Sequence, residues 1–177
     1  MDSIPTILQL GHPVLRQKAE AVDDVLSDTV QQLIKSLQAA LANSQGVGLA
    51  APQIGIAKRL VIVASRPTAR YPYAPLMQPT VMINPSFAPL SDQQENDWEG
   101  CLSIPGIRAL VPRYQEIAIR YTDTDGQSVG QTLNGFVARV FQHEIDHLEG
   151  LVYLDRVLDN RDIVAESEFL KICGLAA

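Results

Sequence analysis

Residues 137–150 read VARVFQHEIDHLEG. The apolar residues of this run recur at helical spacing, which predicts a helix from about Phe136 to Leu148. The segments before it read differently. RLVIVAS (59–65) is a buried-strand pattern, and TVMINP (80–85), the stretch around Trp98, ALVPR (109–113), EIAIRYTD (116–123) and SVGQTLN (128–134) are strand candidates. Thr124, Asp125 and Gly126 mark a turn between the last two. Strands grouped ahead of a late helix predict an α+β fold, with antiparallel sheets packed around that helix.

Further out, residues 25–42 place Val30, Leu33, Ile34, Leu37, Ala40 and Leu41 at helical spacing. Ser27 or Asp28 is expected to cap this amphipathic helix, and Gly46 lies beyond its end. GVGLAAPQIG (46–55) then reads as a small-residue loop. Residues 65–79 hold four prolines without periodicity and read as an ordered or semi-ordered loop. A short helix is expected near 161–172.

The whole chain sets bounds on function. A length of 177 residues predicts one domain over 1–177, with 46% hydrophobic and 19% charged residues as in globular proteins. No run of eighteen apolar residues exists, so no membrane-spanning helix is expected. The N-terminus has neither signal-peptide nor transit-peptide character, and a cytoplasmic location is the expectation. The formal net charge is −6 with no Lys/Arg cluster, which argues against a nucleic-acid partner. Two cysteines, Cys101 and Cys173, are too few for a disulfide scaffold.

His143 and His147 are two of only three histidines. Four residues along a helix advance about 6 Å and rotate about 40° past a full turn, so both imidazoles leave one face and can grip one ion. Glu144 is rotated by about 100° and can reach a water beside that ion. Asp146 lies on the opposite flank and reads as an orienting or salt-bridged residue. A catalytic site needs a third protein ligand. The extended motif HExxHxxGxxH would need His where Tyr153 stands. Glu166 and Glu168 stand at a suitable distance for a downstream carboxylate ligand, and Cys101 in WEGCLSIPG is the other candidate. His12, before Pro13, reads as a solvated turn residue.

GVGLAAPQ (46–53), EGCLS (99–103) and HEIDH (143–147) together resemble the three signature motifs of the peptide deformylases, in that family's order and spacing. SIPGIRALVPR (103–113) and HPVLR (12–16) are also similar to that family, in its type I, bacterial-like form. The resemblance implies a hydrolase that removes the formyl group from the N-terminal formyl-methionine of nascent proteins and releases formate. It implies Cys101, His143 and His147 as ligands of one divalent ion, natively Fe(II), with Zn, Ni or Co able to replace it. It implies a metal-bound hydroxide attacking the formyl carbon, with Glu144 as general acid/base. The Gln53 side-chain amide and the backbone N–H of Leu102 are expected to face the oxyanion.

Gly46, Val47 and Gly48 are expected to receive the peptide backbone, with Arg108 near the peptide. Val140 and Arg139, one turn before His143, are expected to border the methionine pocket, Arg139 holding its head in solvent. Arg113 is expected to bridge Glu99 and Asp146, locking the ligand loop to the metal helix. Some bacterial members carry a basic C-terminal helix that docks on the ribosome. From Asn160 onward this tail sets Arg161 and Lys171 against Asp162, Glu166 and Glu168, a net of −1, with no such tether. Two rival readings are a zinc endopeptidase using HExxH with a downstream third ligand, and a non-catalytic homologue that binds peptide N-termini.

Overall fold

The computed structural model describes residues 4–68 and 71–175. Helix α1 (Asp28–Ala42) is followed by strands β1 (Gly48–Ala50), β2 (Leu60–Ser65), β3 (Met77–Pro89), β4 (Gln94–Cys101), β5 (Ile104–Tyr114), β6 (Glu116–Thr122) and β7 (Ser128–Asn134). Helix α2 (Gly135–Leu148), strand β8 (Ile163–Ala165) and helix α3 (Glu166–Ile172) complete the chain. Two antiparallel sheets form, one ordered β1-β2-β3-β6-β7 and the other β4-β5-β8. The α+β architecture is as expected from the sequence.

β2 shows why LVIVAS carries no alternation of polar and apolar residues. Successive side chains of a strand face opposite ways, and both faces of β2 are covered. Val61 and Val63 pack in one core with Ala138, Phe141, Ile145 and Leu148 of α2. Leu60 and Ile62 pack in a second core with Ile34, Leu37, Ala40 and Leu41 of α1. A third cluster joins Ala109 and Val111 of β5 to Val152 and Tyr153. Thus α2 lies between the two sheets, with its ligand-bearing face toward β4 and β5.

Several local expectations are corrected. Ser27 stands at the N-cap of α1, but its hydroxyl donates to Asp24 O instead of capping the helix. The small-residue segment contains β1, hidden because Gly and Ala have little strand preference until a neighbour pairs with them. β3 begins at Met77, inside the stretch expected as loop, and β5 begins at Ile104, ahead of the strand expected at 109–113. In β3, Asn84 adopts φ +50° at a break in register between Ile83 and Ser86. Its amide pairs with both Val22 N and Val22 O (2.9 and 2.8 Å), tying the N-terminal segment to the sheet. Asn tolerates the left-handed region because its side chain can bond locally.

Candidate metal centre

α2 delivers His143 and His147 from one face, their ring centroids 5.2 Å apart. β4 ends at Cys101, whose Sγ lies 3.3 Å from His147 Nε2. The ligand-type atoms of Cys101, His143 and His147 all lie within 4.8 Å of one another. A thiolate and two imidazoles at this spacing fit a tetrahedral ion that keeps a fourth position open. His143 Nδ1 is 2.9 Å from Glu99 Oε2, which leaves Nε2 for an ion. Glu166 and Glu168 are not part of the group. Glu166 pairs with Arg108, and Glu168 with Lys171.

The electrostatics favour a thiolate at Cys101. Burial opposes ionisation of Cys101, but His147 and His143 beside it hold the thiol well below its usual range. Burial likewise opposes a charge on His143, while Cys101 and Glu99 raise its basicity well above normal. Glu144 is buried, and burial pushes its carboxyl up to about 7 against the pull of His143 and His147. Its Oε2 is buried without a hydrogen-bond partner among the described residues. A buried, unsatisfied carboxylate oxygen is costly unless a ligand or water serves it.

Around this group lies a cavity of ≈ 540 Å³ lined by Gly46, Val47, Gly48, Gln53, Leu102, Arg108, Arg139, Val140, His143 and Glu144 among others. All the residues singled out for substrate and oxyanion therefore share one space, and of the metal-ligand candidates Cys101 and His143 line it while His147 does not. Gln53 is 2% exposed, and its Oε1 accepts from Ala50 N while Nε2 donates to Ser103 Oγ and lies 3.5 Å from Cys101 Sγ. The same amide thus closes its own turn and faces the ligand group. A methyl group on Gly48 would come within 2.2 Å of Glu144 Oε1, so only glycine lets the carboxylate lie there. β1 ends its sheet, leaving one strand edge beside the cavity.

Arg113 does bridge the two elements. It donates to both Glu99 oxygens (2.8 and 2.9 Å) and to Asp146 Oδ2 (2.7 Å), with Arg156 also on Asp146. Burial raises the cost of charging Glu99, yet Arg113 and His143 hold it well below the usual carboxylate range. The expectation for Arg139 fails. Its head is not in solvent but 7% exposed, donating to Glu99 Oε1, Val111 O and Glu95 O. Glu99 demanded a second cation, and the carbonyls of two strands completed the socket.

Sequence reasoning missed Tyr153, which stacks on His143 with centroids 5.9 Å apart and donates to Ile107 O. It also missed Ser103, whose N–H donates to Cys101 Sγ. Their positions beside Cys101 and after HEIDH were the available signal. From the Pro-rich loop, Tyr71 reaches Trp98 O and packs on Phe136 at the cavity wall. Residues 69 and 70 of that loop lie outside the described set. His12 is exposed and caps a 3-10 turn by accepting from Val14 N.

Fold and site together define an α+β metallohydrolase of the HExxH type. The chain belongs to the polypeptide deformylase family, whose model matches residues 4–162. Peptide deformylase 2 of Nostoc sp. is 52% identical over 166 residues, spanning 94% of this chain and 93% of the relative. Peptide deformylase 1 of Nitrosomonas europaea is 46% identical over 158 residues, spanning 89% and 90%. A Met-Ala-Ser bound class I type b peptide deformylase from Acinetobacter baumannii matches with a TM-score of 0.85 at 38% identity, over 89% of this chain and all of that one.

Proposed function

We propose that this protein removes the N-formyl group from the formyl-methionyl N-terminus of newly made polypeptides, releasing formate, in the cytoplasm where such chains arise. The observation that carries the reading is the convergence of Cys101, His143 and His147 within 4.8 Å, with Glu144 and Gln53 on the same cavity. These three side chains would hold one divalent cation, natively Fe(II), with Zn, Ni or Co able to replace it. Such an ion polarises a carbonyl and makes water nucleophilic at neutral pH.

The chain's own groups do the rest. Glu144 accepts a proton from water as the oxygen attacks the formyl carbon, and then delivers it to the departing amine as the C–N bond breaks. Gln53 Nε2 and the Leu102 N–H donate to the developing oxyanion. Gly46, Val47 and Gly48 receive the peptide backbone along the open edge of β1, as an added strand. Val140 forms an apolar wall for the methionine side chain. Arg139 borders that pocket from its buried socket, and Arg108 lies near the following peptide.

Formate release from formyl-Met-Ala-Ser, with iron kept reduced, tests the assignment. We expect release from the wild type and none from Cys101→Ser, which also loses its metal. A Cys101→Ser enzyme that cleaved internal peptide bonds would point instead to an endopeptidase. Absence of formate from the metal-loaded wild type would overturn the reading.

A further inference from the structure

The family match ends at residue 162, and β8 and α3 follow it. Yet this segment enters the cavity. β8 pairs with β5 in the register Arg108↔Val164, and the chain then turns so that Glu166 lines the same space as Cys101 and Glu144. Glu166 Oε1 accepts from Arg108 Nη2 at 2.8 Å, with side-chain exposures of 26% and 8%. Phe169 of α3 lies under the guanidinium, 5.6 Å from Cζ, and its ring meets Trp98 edge-on. Opposite, the guanidinium lies so close to Gly100 that a Cβ there would be 2.0 Å from Nη1.

Arg108 is therefore gripped on three sides, and its charge is matched by a carboxylate that the C-terminal segment supplies. A buried cation without that carboxylate would present an unmatched charge to whatever enters the cavity. Arg139, the other buried arginine in this wall, is already matched by Glu99. Arg66 also lines the cavity but is exposed, so among its buried cations it is the charge of Arg108 that Glu166 matches.

We infer that Glu166 is a specificity-determining residue. By neutralising and orienting Arg108, it keeps the cavity from selecting acidic side chains in the peptide beyond the methionine. The inference rests on the proposed deformylase reading for the direction in which the peptide runs. It assigns the C-terminal segment a part in substrate choice as well as in folding.

The test is calorimetric titration of the metal-loaded protein with amidated Met-Ala-Glu and Met-Ala-Lys, for the wild type, Glu166→Gln and Glu166→Asp. Wild type and Glu166→Asp are expected to bind the two peptides within about twofold of each other, whereas Glu166→Gln favours the glutamyl peptide by about fivefold or more, a preference that collapses in high salt. A merely structural role for Glu166 would weaken both peptides together and leave their ratio unchanged. An unchanged ratio in Glu166→Gln, a wild type that already prefers the glutamyl peptide, or no binding of either peptide overturns the inference. Formate release, measured separately, fails only if the deformylase reading fails.

Discussion

Gly48 and Glu144 meet so closely that one methyl group decides the position of the carboxylate. In Gly48→Ala the new Cβ would overlap Glu144 Oε1, and the side chain would have to leave its place beside the ligand group. Turnover is expected to fall by about 10²-fold or more, the range of a lost general base, while metal content and the unfolding midpoint change little. Formate assays paired with metal analysis would check this, and a fully active variant would show that Glu144 does not need this position. Arg113 is the second residue-scale case. Arg113→Ala leaves Glu99 with Arg139 and His143, and Asp146 with Arg156, so the loss is less than that of an unpaired buried charge. We expect about 3 kcal/mol in urea unfolding and weaker metal retention, the low end for a broken buried pair. Neither effect would mean that Arg113 does not couple the ligand loop to the helix.

At the scale of elements, α2 must stop at one place for its ligands to face β4 and β5. Glu149 caps its C-terminus, and Gly150 follows at φ +73°, a left-handed residue closing the helix. Gly150 also abuts Arg16, where a Cβ would lie 2.9 Å from backbone carbon and oxygen. Gly150→Ala therefore combines conformational strain with a backbone clash. It is expected to destabilise by about 2 kcal/mol or more, against about 1 kcal/mol for Gly126→Ala, which has the conformational strain alone. Equal losses in thermal unfolding would mean that the packing of Gly150 on Arg16 is unimportant. α2 was legible beforehand because its apolar stripe and its ligand pair share one period. β1 and β8 were not, since each is three residues long and becomes a strand only through pairing with β2 or β5.

Over the whole molecule, Arg16 near the start of the chain donates to Asp155 beyond α2, closing the fold at its periphery. Burial opposes the charge on Asp155, but Arg16 and the Val152 N–H hold its carboxyl below the usual range. The folded protein thus binds this proton less readily than the unfolded chain. The contribution is present above the unfolded value of about 4 and is lost as pH falls through the folded one. Wild type is expected to exceed Asp155→Asn in urea midpoint at pH 6, with the gap closing as pH falls below the ordinary carboxylate value of about 4. A gap that persisted in acid would show that the pair's charge is not what stabilises.

The α+β order of elements was readable from the chain as local spacing, and the meeting of Cys101 with His143 and His147 only through the resemblance of EGCLS to a family motif, since spacing alone left Glu166 and Glu168 open. The Arg113 bridge was readable too, as three charges set among apolar motif positions. The inward turn of Arg139, the stacking of Tyr153 on His143 and the grip of Glu166 on Arg108 were not. Each depends on which distant carbonyl, ring or carboxylate the sheets bring within a few ångströms. The HEIDH helix was thus determined by sequence alone, since helical period is a local property. What surrounds it was decided only by tertiary structure, since a buried charge takes whatever partner the packed strands place beside it.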